Sequence, residues 1–270
     1  MFFGGSKRYL YDIAPFDVGF SVRKLRANAT LCMRVQRTSD NARINIGFDG
    51  DYIDTATLLS FCAGTDGEVI TWWNQGNLGS GVFRNAPQIP LIVSNGSLIT
   101  RGGKASVKFD GVNDRLATGS ITLNATNLSV FSVSNNDLPN SLGAVHSQLL
   151  STLTSIRTFN DRRGLKRNLV VSAPTQYAAN MSTIRNDANP RLLTGFIDAL
   201  KNMITFDNGA IGGTNTYVGT TQTNGLQLGC QSIGVSFLNG TIQEFVGYNN
   251  FELANREDIE ANINGFYNIY

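Results

Sequence analysis

The sequence predicts an all-β fold: a β-sandwich of two antiparallel sheets, carrying one short helix and a C-terminal helix. Three observations predict it. Turn-forming Asn-Gly and Asp-Gly pairs recur along all 270 residues. Short runs of period-two alternation lie between them. Only two segments have the spacing and caps of helices. A single sandwich of this length is ordinary, and it is large enough to bury a core without covalent staples.

The turns come first. Asn-Gly stands at Asn95-Gly96, Asn208-Gly209, Asn224-Gly225 and Asn239-Gly240, and Asp-Gly at Asp49-Gly50, Asp66-Gly67 and Asp110-Gly111. These residues accept the positive φ that tight hairpin turns require. The strands follow. Ala105-Ser106-Val107-Lys108-Phe109 alternates, and Leu128-Ser129-Val130-Phe131-Ser132-Val133 reads as a more buried strand. Asn202-Met203-Ile204-Thr205-Phe206, then Asn208-Gly209, then Ala210-Ile211 has the signature of a hairpin. Gly225 to Cys230 and Thr241 to Tyr248 read as two more strands.

The first helix runs from Thr55 to Cys62, capped by Asp54 and stopped by Gly64, with Leu58, Leu59 and Cys62 as its apolar face. The second closes the sequence. Asn255 caps it with Asp258 three residues on, and Ile259, Ile263, Phe266 and Tyr270 form its stripe. The simplest division is a leader or docking arm, residues 1–17, followed by one sandwich domain, residues 18–270.

Composition narrows the function classes. Lys and Arg number 22 against 20 Asp and Glu, a net charge of +2. That lacks the basic excess of a nucleic-acid binder, so no nucleic-acid partner is expected. No run reaches the roughly 18 apolar residues of a membrane helix, so no membrane partner is expected. Met1 to Arg8 lacks a basic head and apolar run, so synthesis without a secretory signal is expected. Cys32, Cys62 and Cys230 are odd in number and match no zinc spacing, so they read as small buried hydrophobes.

Several segments in order carry a resemblance. Phe20 to Leu25 is followed by Met33 to Asn41, Ile46-Gly47-Phe48, the capped helix, and Val69-Ile70-Thr71-Trp72-Trp73-Asn74-Gln75. Then come Phe109-Asp110-Gly111-Val112-Asn113-Asp114 and Leu238 to Phe245 with the terminal helix. This order resembles the concanavalin-like, laminin-G-like domains of bacteriophage virion and tail-associated proteins. The first third and the last strand are also similar to the catalytic domain of α-L-arabinofuranosidase B. The resemblance implies a concanavalin-like jelly-roll sandwich whose carbohydrate ligands, where present, sit on the concave sheet or its rim loops. It implies a virion structural protein (fibre, spike or decoration protein), assembled in the host bacterial cytoplasm and located in the virion. Capsid or tail proteins are the implied partners, with a homo-oligomer, a trimer among the options, and a host surface glycan as a further ligand. A carbohydrate-binding adhesin and an arabinofuranosidase-like glycoside hydrolase are the rival readings.

Glycoside hydrolysis needs two carboxyls across the scissile bond. The sequence has five glutamates: Glu68, Glu244, Glu252, Glu257 and Glu260. The last three read as a solvated helix face, and Glu68 as exposed after a turn. Glu244 shares strand parity with Ile242 and Val246 and points inward, where it requires a partner. The resemblance places the hydrolase's acid/base carboxylate in a Gly-Gly-Asp-Asn stretch just after the strand matching Gly225 to Gly229. Here that stretch is Cys230-Gln231-Ser232-Ile233-Gly234, without an acid. The expectation is therefore a non-enzymatic protein, with no catalytic, cofactor or metal residue assigned and no cofactor.

Other features have two readings each. His146, the single histidine, lies in a polar, loop-like stretch and reads as a surface residue. Gly102-Gly103-Lys104 reads as a turn before a strand rather than a phosphate loop. Trp72 and Trp73 face opposite ways if they lie on a strand, so one belongs to the core and the other to the surface or a subunit contact. Arg157 to Arg167 is the densest basic segment, either a charged hairpin or a patch for an acidic partner. Asp110, Asn113 and Asp114 make either a turn or a calcium loop. Phe2, Phe3, Tyr9, Tyr11, Phe16 and Phe20 either pack on the sandwich or dock on a neighbouring subunit.

Overall fold

The computed structural model describes residues 8–84, 87–118, 121–137, 143–151, 154–161, 166–173, 175–184, 189–219, 225–230 and 237–270. Between 143 and 184 only the backbone is described, apart from the side chains of Leu169, Val171 and residues 177–180. In chain order the elements begin with α1 (Leu10–Ile13), β1 (Val18–Ser21), β2 (Met33–Arg37), β3 (Arg43–Ile46), β4 (Phe48–Asp49), β5 (Tyr52–Ile53) and α2 (Thr55–Cys62). Next are β6 (Gly67–Trp73), β7 (Gly81–Phe83), β8 (Leu91–Ser94), β9 (Ser97–Leu98), β10 (Thr100–Arg101), β11 (Lys104–Ala105), β12 (Val107–Asp110) and β13 (Leu116–Thr118). The long strands follow: β14 (Leu128–Asn136), β15 (Gly143–Ser151), β16 (Thr154–Asp161), β17 (Lys166–Ala173) and β18 (Thr175–Ile184). The chain ends with β19 (Arg191–Ile197), β20 (Asn202–Asp207), β21 (Ala210–Thr216), β22 (Leu226–Leu228), β23 (Asn239–Tyr248) and α3 (Arg256–Tyr267).

Strand pairing gives two antiparallel layers. One runs β9–β8–β12–β23–β14–β19–β20–β21, with β1 beside the second half of β23. The other runs β3–β2–β6–β7–β13–β22–β15–β16–β17–β18. A short β6–β8 pairing joins them at one corner. Side chains from both layers meet in a shared core: Phe20 of β1 lies 6.2 Å, ring to ring, from Trp72 of β6. Phe131, Phe196 and Tyr248 extend the aromatic core in edge-to-face contacts.

The local chemistry explains the elements. Asp54 accepts from the Thr57 N–H at 2.9 Å and caps α2 as expected. Asn208 and Gly209 both have positive φ, 51° and 76°, and close the β20–β21 hairpin. The Asn239-Gly240 pair departs from expectation. It lies inside β23, where a Cβ on Gly240 would come 2.1 Å from the Asn135 carbonyl oxygen. That glycine serves close strand approach, not a turn.

The terminal helix also differs in detail. The Asn255 side chain caps nothing and instead donates to Glu252. The buried stripe is Ile259, Ile263 and Tyr267, while Tyr270 is exposed. The acidic face divides: Glu257 is exposed as expected, whereas Glu260 is buried and accepts from Thr194 Oγ1 at 2.7 Å, and Glu252 is buried beside Asn250 and Asn255. Packing of Glu260 on Thr194 of β19 and of Glu252 beside Ser129 of β14 removes these groups from water, which helical spacing alone does not reveal. Leu10 and Phe16 are fully buried, and Phe16 packs edge-on against Tyr248. Phe2 and Phe3 lie outside the described residues. No helix among the described residues is long and apolar enough to cross a membrane.

Candidate functional site

Alternation on β6 splits the tryptophans. A bulge between Arg34 and Val35 of β2 sets two β6 residues against one and changes which residues face inward. Trp72 is fully buried, and Trp73 faces the other side with partial exposure. The outer face of this layer then carries a register row: Arg34 opposite Thr71, Thr71 opposite Phe83, Phe83 opposite Ala117, and Ala117 opposite Gln227. Phe83 is 55% exposed.

The two ends of this face are polar. Beside Trp73 lies a cavity of about 240 Å³, lined by Arg26, Asn28, Thr30, Leu31 and Ser80 among others. The Trp73 Nε1 donor is buried with no hydrogen-bond partner among the described residues. At the other end stand Arg84, just after β7, and Arg115, just before β13. The Nε of each is buried and unpartnered among the described residues. Buried donors are nearly always satisfied, so the three at the ends of this face single it out for a ligand reading; the other unpartnered buried side-chain atoms among the described residues belong to Arg101, Ser134, Arg191, Gln243 and Tyr248.

Cys230 sits at the same end and donates its thiol to Gln227 Oε1 at 3.0 Å. Burial pushes its pKa up to about 12, so it is no nucleophile. Asp114, adjacent to Arg115 in the chain, has its carboxyl pushed up to about 6, by burial first and then by the Asp110 charge. Asp110 Oδ1 accepts from the amides of Val112, Asn113 and Asp114, and Asp114 Oδ2 accepts from the Asp110 amide. These oxygens close the turn on itself.

The remaining sequence candidates separate. Glu244 points inward as expected, and its carboxylate is held by Arg23, Ser21 and Tyr267. Glu68 is partly buried, not exposed, and accepts from Gln36. His146 lies on β15, opposite Leu228 of β22, so the loop expectation is corrected; its side chain lies outside the described residues. Gly102 and Gly103 form the turn between β10 and β11. The basic segment is spread over the paired strands β16 and β17; its side chains and residues 162–165 lie outside the described residues. The stretch 231–234 also lies outside them. Phe83, Arg84 and Arg115 were not singled out from sequence. Phe83 could have been, since alternation with the core residue Val82 turns it outward. The arginines could not, because strand order alone brings them together.

No family model and no curated protein matches the sequence. Solved structures do match. An arabinofuranosidase in complex with arabinofuranosyl-α-1,2-xylobiose aligns with a TM-score of 0.63 at 14% identity, covering 94% of this chain and 64% of that one. A GH54 α-L-arabinofuranosidase soaked with 4-nitrophenyl α-L-arabinofuranoside aligns with a TM-score of 0.61 at 15% identity and the same coverage. This chain therefore spans about two thirds of the length of those enzymes. At such identity the likeness establishes a shared fold.

That likeness corrects the expectation of a non-enzymatic chain. The fold matched over nearly the whole chain is that of glycosidases. The contrary inference rested on a count of glutamates and on one loop, 231–234. It left out aspartates, which serve equally as hydrolytic carboxyls.

Proposed function

We propose that this chain is a carbohydrate-active protein that holds a glycan across the outer face of β6, β7, β13 and β22. The observation that carries the reading is Phe83, an exposed ring set between the orphan donors of Trp73 at one end and Arg84 and Arg115 at the other. Sugar rings present apolar C–H faces that stack on such a platform, while their hydroxyls take up donors of this kind. The shared fold with arabinofuranosidases supports a sugar as the ligand class.

The test is a glycan array with wild-type protein, paired with release of reducing ends from arabinan and arabinoxylan. Bound or cleaved glycan, weakened by Phe83→Ala, supports the reading. Binding or cleavage that Phe83→Ala and Trp73→Ala leave untouched would place the site elsewhere. The absence of any glycan response would defeat the reading altogether.

A second reading rests on the ordered segments from Phe20 to Phe245 that resemble phage virion domains. In it the sandwich displays this face on a bacteriophage particle, as a homo-oligomer bound to capsid or tail proteins. Peptide mass spectrometry of purified particles decides it, and absence of the chain from them would refute it.

A further inference from the structure

We propose that Arg84 and Arg115 form an anion subsite at one end of the glycan face, taking the carboxylate or sulfate ester of an acidic sugar. The inference rests on the reading of that face as a glycan site and names the class of glycan.

Arg115 is 8% exposed, and its Nε is buried with no hydrogen-bond partner among the described residues. An isolated buried charge is costly, so a guanidinium in this state needs an anion from elsewhere. Arg84 stands beside it, with its Nε equally unpartnered and only a contact to Gln88 made by its outer nitrogen. The pairing of β7 with β13 through Phe83 and Ala117 brings the two arginines to the same end of neighbouring strands, where burial and then the Arg115 charge lower the proton affinity of Arg84.

Among the described residues no carboxylate forms an ion pair with Arg84 or Arg115. Asp114, the next residue to Arg115, is turned to the Asp110 amide, and its carboxyl titrates high as an unpaired acid does, not low as an arginine partner would. Two neighbouring guanidiniums suit a planar carboxylate or a tetrahedral sulfate better than a neutral hydroxyl. Arg115 has the strand parity of Ala117, the residue opposite Phe83, and Arg84 follows Phe83 with partial exposure, so an anionic substituent reaches the pair from a ring stacked on that platform.

Isothermal titration with galacturonate, galactose 6-sulfate and galactose, at fixed ionic strength, tests the subsite. At least tenfold tighter binding of either acidic sugar than of galactose is expected, and the arm that responds tells carboxylate from sulfate. Arg84→Gln removes that preference. Arg115→Met, which takes away the unpaired charge at similar volume, removes the preference and raises the melting temperature of the unliganded protein. Equal affinity for all three sugars, or a lower melting temperature in Arg115→Met together with an unchanged preference in Arg84→Gln, overturns the proposal. If neutral glycans bind through Phe83 without acidic preference, the subsite fails and the glycan face stands. If no sugar binds, the face itself fails.

Discussion

Arg23 and Glu244 form a two-pronged ion pair in the interior, with Nε to Oε2 at 2.8 Å and Nη2 to Oε1 at 3.0 Å. Ser21 Oγ and the Tyr267 hydroxyl also bond Oε2, and Asn262 takes the free arginine nitrogen. The pair ties the end of β1 to β23 and to α3. Removing one partner leaves a buried charge uncompensated, so Glu244→Ala should cost about 3–5 kcal/mol of stability. Replacing both residues, Arg23→Met with Glu244→Leu, should recover much of that loss. Chemical denaturation measures both, and an unchanged midpoint in Glu244→Ala would contradict the assignment.

Asp114 gives the fold a pH dependence. Its carboxyl titrates at about 6 in the folded chain against an ordinary value of 3.8, because burial and then the Asp110 charge disfavour ionisation. The folded state thus holds a proton that the unfolded state releases. Stability from this group is complete at low pH and declines as pH rises from about 4 to about 6. Asp114→Asn keeps an oxygen for the Asp110 amide and removes the charge. It should gain on the order of 1–2 kcal/mol at pH 7 and flatten the profile over that window. Urea melts at pH 4, 5, 6 and 7 give the comparison.

Phe83 is exposed, so Phe83→Ala should shift stability by less than about 0.5 kcal/mol. If the ring is a sugar platform, glycan affinity should drop at least tenfold, roughly 1.4 kcal/mol. Measured together, melting temperature and titration separate a binding ring from a packing one.

The three cysteines should be inert in the folded chain. All are buried and free, burial raises each thiol pKa, and Cys32 also donates to the Ser21 carbonyl. Thiolate is the reactive form, so labelling by a disulfide reagent should be negligible in native protein and reach three thiols in denaturant. Fast labelling of one native thiol would show that its surroundings open readily.

Gly229→Ala should be strongly destabilising. The residue has φ +85°, and an added Cβ would lie 2.2 Å from the Phe109 ring. Strain and overpacking together should cost about 2–4 kcal/mol. A variant as stable as wild type would mean that the β22 end tolerates displacement.

Much of the fold was legible in local chemistry. Asp54 capping Thr57, the Asn208-Gly209 turn and the split between Trp72 and Trp73 are short-range rules, and each appears where the residues placed it. Glu260 and Gly240 depart from the sequence expectation for one reason. Their environments are made by residues distant in sequence: Thr194 for the first, the Asn135 carbonyl for the second.

The candidate site shows the same division. The sequence by itself determined an antiparallel sandwich with inward Glu244, because alternation and turn chemistry act over a few residues. It also determined a near-neutral charge and a scarcity of glutamates. Only the tertiary structure decided that Phe83 stands open between Trp73 and the arginine pair, and that Arg84 and Arg115 meet at all. The register of β7 against β13, and of β13 against β22, brings those side chains together, and register is a property of paired strands that no single segment encodes.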